Sequence, residues 1–178
     1  MKTIMIRQPG YMPNIGFFKK IEYSDIFVFL DDTQFSKDSF DNRNKIKTKS
    51  NSKWISVPLK RPVFKKKLNQ VMISYDTDWI KSHTDLIYQN YKDAPYFSSY
   101  WNEIKKILEQ KSNLLIDLNL NLISYFLKIL QINTTTIKSS ELKITKTKRN
   151  NNKRGIKMSV ARITTLNLKS KEGADQIE

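Results

Sequence analysis

Apolar residues come in short unbroken runs near the amino terminus and at helical spacing further along the chain. Thr3–Arg7 (TIMIR) reads as a buried strand. A turn from Gln8 to Gly16 follows, then a short helix over Phe17–Ser24 with Phe17, Phe18 and Ile21 on one face. Ile26–Leu30 (IFVFL) is a second fully apolar strand. This succession is a βαβ unit, and strands apolar on both faces predict a parallel sheet covered by helices.

Asp31 to Lys53 reads as one long polar loop. Trp54–Leu59 (WISVPL) and Gln70–Ser74 (QVMIS) read as further strands, with Pro58 placing the first at an edge or ending it there. Asp76 or Thr77 caps a helix to about Tyr91, whose apolar stripe includes Trp79, Ile80, His83, Leu86 and Ile87. Pro95 opens another helix to about Gln110. Leu114–Gln131 is the most apolar helix, and Thr134–Ile137 a last β-branched strand. The predicted class is α/β: a mostly parallel sheet of short strands flanked by helices, with a Rossmann-like start and a helical second half.

The first turn concentrates the rigid residues. Two of the four glycines (Gly10, Gly16) and two of the five prolines (Pro9, Pro13) lie in it. A turn at a strand's carboxyl end that opens a helix is where open α/β sheets bind ligands, and helix amino termini attract anions. The second strand ends in Asp31 and Asp32, two carboxylates that could bind a sugar or a cation. Gln34 and the run Asn42, Arg43, Asn44, Lys45 follow, with the Arg43 fork suited to phosphate or carboxylate. His83 is the one side chain whose ordinary pKa lies near neutrality; on periodicity alone it reads more readily as a satisfied core residue than as a functional one.

Composition narrows the chemistry. The 178 residues contain no Cys and one His, which excludes thiolate sites, cysteine nucleophiles and multi-histidine metal sites; no metal site is expected. No apolar run reaches the roughly 18 residues of a membrane span, and the start is too polar for a signal peptide, so a cytoplasmic protein is expected. The net charge of +15 points to an anionic partner, although abundant Lys, Asn and Ile beside three alanines also fit an AT-rich genome. Residues 143–178 carry +7 of it and residues 1–142 carry +8. The chain therefore divides into an α/β domain at 1–142 and a basic segment at 143–178, read as flexible or truncated.

Several segments, in register, resemble the WbqC-like protein family: RQPGYMPNIGFFKKI, SDIFVFLDDTQFSKDSFDNRNKIK, WISVPL, DWIKSHTDLIYQNYKDAPYF, LIDLNLNLI and SSEL. The resemblance runs over roughly residues 3–142 and fades beyond Glu141. It places the family's Gln-Pro-x-Tyr-x-Pro motif on Gln8, Pro9, Tyr11 and Pro13, and its Gly-aromatic pair on Gly16 and Phe17. The paired aspartates fall on Asp31 and Asp32, Asn-Arg-Asn on Asn42, Arg43 and Asn44, and the helical histidine on His83, followed by Tyr91. What the resemblance implies is an enzyme of O-antigen or surface-polysaccharide assembly. It would transfer an aminoacyl (glycyl) or other acyl group to an amino sugar, free or nucleotide-linked. His83, Asp31 and Asp32 would then be catalytic. Gln8, Pro9, Tyr11, Pro13, Gly16, Gln34, Asn42, Arg43, Asn44, Lys45 and Tyr91 would bind substrate. No cofactor is required; ATP, an activated glycyl donor or a charged tRNA would each serve as the source. The alternatives are a non-catalytic assembly protein of the same pathway and a basic nucleic-acid-binding domain. At the level of fold, the opening is similar to HIGH-type nucleotidyltransferases, but no histidine occupies its turn.

Overall fold

The structure, a computed structural model, describes residues 2–37 and 39–142. Three parallel strands form the main sheet in the order β1 (Ile4–Arg7), β2 (Ile26–Phe29) and β5 (Thr135–Lys138). Ile4 pairs with Ile26, and Ile26 with Thr135. Helix α1 (Ile15–Glu22) connects β1 to β2, so the βαβ unit and the α/β class are as the apolar runs predict.

All four residues of β2 are buried, which is why its pattern shows no alternation. Phe27 and Phe29 project to one face and pack with Phe18 and Ile21 of α1 and Ile123 of α4 (Leu115–Ile129). Each such large apolar side chain contributes roughly 1.5–3 kcal/mol on burial. Leu115, Leu118 and Leu122 of α4 enter a second, larger core with α2 (Trp79–Tyr91), α3 (Phe97–Glu109) and the segment around Leu68, Val71 and Ile73. Helix α4 thus serves two cores, and its apolar residues extend round much of its circumference.

Three expectations need correction. Asp31–Lys53 is not one loop: β3 (Arg43–Lys47) and β4 (Ser52–Ser56) form an antiparallel hairpin inside and beyond it. Ile46 and Ile55 alone are buried in the hairpin, so most positions remain polar and conceal the strand pattern. Gln70–Ser74 is not a strand; a one-turn helix at Leu68–Gln70 leads into isolated bridges from Met72 to Leu114 and from Ile73 to Leu59. The cap of α2 is Asp78, whose carboxylate accepts the Lys81 N–H, one or two residues beyond the expected position. The basic stretch after Leu142 lies outside the described residues.

Candidate functional site

A cleft of about 570 Å³ opens at the carboxyl end of β1. Its walls are the first turn (Gln8, Gly10, Tyr11, Pro13, Asn14), the start of α1 (Gly16, Phe17, Lys20), and Ser39, Phe40, Asp41 and Asn44. Arg7 and Lys20 bring positive charge to it. The Asn14 side chain does not cap α1, so the first amides of the helix keep their partial positive charge near the cleft.

The turn is held from three sides. Gln8 Nε2 donates to Thr33 Oγ1 at 2.9 Å. Asn119 of α4, fully buried, donates through Nδ2 to the carbonyls of Pro9 (2.9 Å) and Asp41 (2.8 Å), tying the turn to the 39–41 loop. Asn44 Nδ2 donates to the carbonyls of Tyr11 (3.3 Å) and Met12 (2.6 Å). Met12 sits at φ 45°, in the left-handed region that non-glycine residues seldom adopt, and these bonds hold it there. Gly10 lets the 39–41 loop close in: a Cβ there would lie 2.9 Å from the Phe40 carbonyl oxygen. The Tyr11 N–H donates to that same oxygen at 2.9 Å.

His83 stands behind this turn. The residue is 6% exposed, and its Nδ1 lies 3.0 Å from the hydroxyl of the fully buried Tyr11. Burial pushes the His83 pKa down to about 4, partly offset by a hydrogen bond to the Ser56 backbone. Burial also raises the Tyr11 phenol well above its ordinary value. The pair is therefore neutral at pH 7, joined by one hydrogen bond between the phenol oxygen and Nδ1. Neither His83 nor Tyr91 lines the cleft; the Tyr91 hydroxyl accepts the Lys47 N–H at 2.9 Å and docks α2 on the hairpin.

Asp31 and Asp32 also face elsewhere. Asp31 accepts from Ser139 Oγ (2.9 Å), Ser140 N (2.9 Å) and Ser140 Oγ (2.6 Å), and Asp32 accepts from Ser139 Oγ. Burial opposes ionisation of Asp31, yet the hydrogen bonds from Ser140 and Ser139 outweigh it and hold the carboxyl below its ordinary pKa. The two aspartates thus join the ends of β2 and β5. Gln34 bridges to Lys67, and Asn42 donates to the Val57 carbonyl at 3.0 Å. Arg43 and Lys45 lie on the outer side of the hairpin against Trp54. Of the expected site residues, Gln8, Tyr11, Pro13, Gly16 and Asn44 meet at the cleft.

One cleft residue escaped the sequence reading. Asp41 is 3% exposed, and its Oδ2 finds no hydrogen-bond donor among the described residues. Burial raises its pKa, offset in part by hydrogen bonds from Ser39 and the Ser36 backbone. A buried carboxylate with a raised pKa beside a cleft marks a candidate reactive group. Its sequence signal is one of two Asp in the polar run KDSFDNRN, which is indistinguishable from a solvated loop. Among the described residues no three His, Asp or Glu side chains gather closely enough to hold a metal ion. No helix among them is long and apolar enough to cross a membrane.

A sequence model of the WbqC-like protein family matches residues 8–177, from the first turn to the last residue but one. The chain belongs to the WbqC-like protein family. The match continues past residue 142, where the motif-by-motif resemblance fades, so the basic segment of this WbqC-like protein falls within the family's span. The chain is also similar to the uncharacterized protein Rv1507c of Mycobacterium tuberculosis, with 35% identity over 137 residues. That alignment covers 75% of this chain and 58% of the relative, so the chain spans a little over half of the relative's length. No solved structure matches the chain.

Proposed function

We propose that this WbqC-like protein is an acyltransferase of surface-polysaccharide assembly, binding an anionic, nucleotide-linked sugar or an activated acyl donor in the β1 cleft. The observation that supports this reading best is the cleft's charge pattern. Arg7, Lys20 and the amino-terminal end of α1 suit a phosphate, and the buried Asp41 lines the same cleft as a candidate base. The amine nitrogen of the sugar would attack the acyl carbonyl carbon, forming the C–N bond. The bond to the donor's leaving oxygen would break, and the amine proton would pass to Asp41. In this reading His83 positions Tyr11 and the turn instead of moving protons, because both ring nitrogens are already engaged in a sealed environment.

The test is a thermal-shift and calorimetric screen with nucleotide-linked amino sugars, ATP and glycyl donors. A ligand at 100 times its dissociation constant stabilises by about 2.7 kcal/mol. Binding that weakens in Arg7→Ala and Lys20→Ala, together with acyl transfer lost in Asp41→Asn, is the expected result. Binding without turnover for any donor would favour a non-catalytic assembly role. Silence from every nucleotide and acyl compound would sink the reading.

A further inference from the structure

The 34 residues from Asn42 to Tyr75 contain ten Lys or Arg and no Asp or Glu. Half of these cations, Arg43, Lys45, Lys47, Lys49 and Lys53, lie on the β3–β4 hairpin or its connecting turn. The register pairs Arg43 with Ser56, Lys45 with Trp54 and Lys47 with Ser52. Alternate residues share a face, so Arg43, Lys45, Lys47 and Trp54 project together. The opposite face carries Asn44, Ile46 and Ile55 toward the protein interior. On the outer face Lys45, Lys47 and Trp54 are exposed, while Arg43 is half-buried.

Trp54 organises that surface. It is 44% exposed, with the Arg43 guanidinium 4.5 Å and the Lys45 ammonium 5.1 Å from its ring centre. Phe40, also exposed, lies 5.8 Å from it, centroid to centroid. The cations along β3 recur every second residue, roughly 6–7 Å apart. An extended polyanion can follow such a row phosphate by phosphate while a base stacks on the indole. A single-stranded nucleic acid fits both features: a charged backbone track and an aromatic platform. A lipid surface fits less well, because the indole lies among cations instead of in an apolar patch. Phe40 also forms part of the cleft wall, so a strand on this face would end beside the cleft.

We propose that the outer face of the β3–β4 hairpin is a binding surface for single-stranded nucleic acid, with Trp54 as the stacking platform and Lys45 and Lys47 as backbone contacts. This inference stands apart from whatever small molecule the cleft takes.

The test uses the full chain and mixed-sequence 12-nucleotide RNA and DNA single strands, read by anisotropy across a salt series and by tryptophan emission. Trp79 and Trp101 are buried at 4% and 8% exposure, so quenching on binding reports Trp54. We expect quenching, and Trp54→Ala to weaken binding about 5-fold or more with an unchanged salt slope. Lys45→Glu/Lys47→Glu should weaken binding about 10-fold or more and flatten the log–log salt slope by about 1.4. The same charge change on α3, Lys105→Glu/Lys106→Glu, should do markedly less. Three results would each overturn the proposal: equal losses for the two double variants, binding indifferent to Trp54→Ala, and binding only to vesicles of anionic phospholipid. All substituted side chains are exposed, and circular dichroism checks that each variant is folded.

Discussion

The Tyr11 hydroxyl meets His83 Nδ1 at 3.0 Å, joining the first turn to helix α2 across 72 residues of chain. Neither ring is open to solvent, so the bond has no water to replace it. Tyr11→Phe keeps the ring and removes the hydroxyl, leaving Nδ1 without that partner. We expect a loss of about 1–3 kcal/mol by urea denaturation. A change below about 0.5 kcal/mol would show that the bond does not tether the turn.

The depressed pKa of His83 sets a pH dependence. The unfolded chain binds the His83 proton at pH near 6.5, and the folded chain only near 4. Between those values the unfolded state holds more protons, so stability falls as pH falls through that window. It should be undiminished above about pH 7 and lower by about 3 kcal/mol once pH drops below 4. Denaturation curves at several pH values, repeated on His83→Asn, check this: the variant should lose that part of the acid slope. Asp41 works in the opposite sense. Its raised pKa means the fold gains from Asp41 as pH falls and loses that gain as pH rises through the folded value.

The two glycines of the turn should respond differently to alanine. At Gly10 the new Cβ would press on a backbone oxygen of Phe40, so Gly10→Ala should cost about 1–3 kcal/mol and weaken ligand binding in the cleft. At Gly16 the Cβ would approach only the Asn14 side-chain oxygen, at 3.2 Å, which can move aside. Helix propensity favours alanine there by about 0.5–1 kcal/mol, so Gly16→Ala should be neutral or stabilising. Thermal denaturation of both variants in one buffer makes the comparison.

Asp31 offers a test just beyond the carboxyl end of β2. Asp31→Asn weakens the charge-assisted bonds to Ser139 and Ser140 and should cost about 1.5–3 kcal/mol at neutral pH. The native carboxyl is held below its ordinary pKa, so its contribution is present at neutral pH and is lost as pH falls through the folded value. The variant should therefore show a shallower acid limb below about pH 4. Acyl transfer that disappears while stability is unchanged would instead point to a chemical role for Asp31.

The main sheet was legible because β2 is apolar at every position, and continuous apolar runs announce a buried strand. The helices were legible because Leu115, Leu118 and Leu122, like Ile80, His83 and Ile87, recur at helical spacing. The hairpin was not, since a two-stranded ribbon burying only Ile46 and Ile55 leaves no run or alternation to read. Local sequence also places the rigid turn at the end of β1, and the cleft forms there. It could not show that Asp31 is occupied by Ser139 and Ser140, more than a hundred residues away, or that Tyr11 occupies His83. Nor could it single out Asp41, whose raised pKa depends on the closure of the turn and the 39–41 loop around it. The buried strands of the main sheet and the amphipathic helices follow from neighbours along the chain, so the sequence by itself determined them. Which polar groups are free to react depends on partners brought together by folding, and only the tertiary structure decided that.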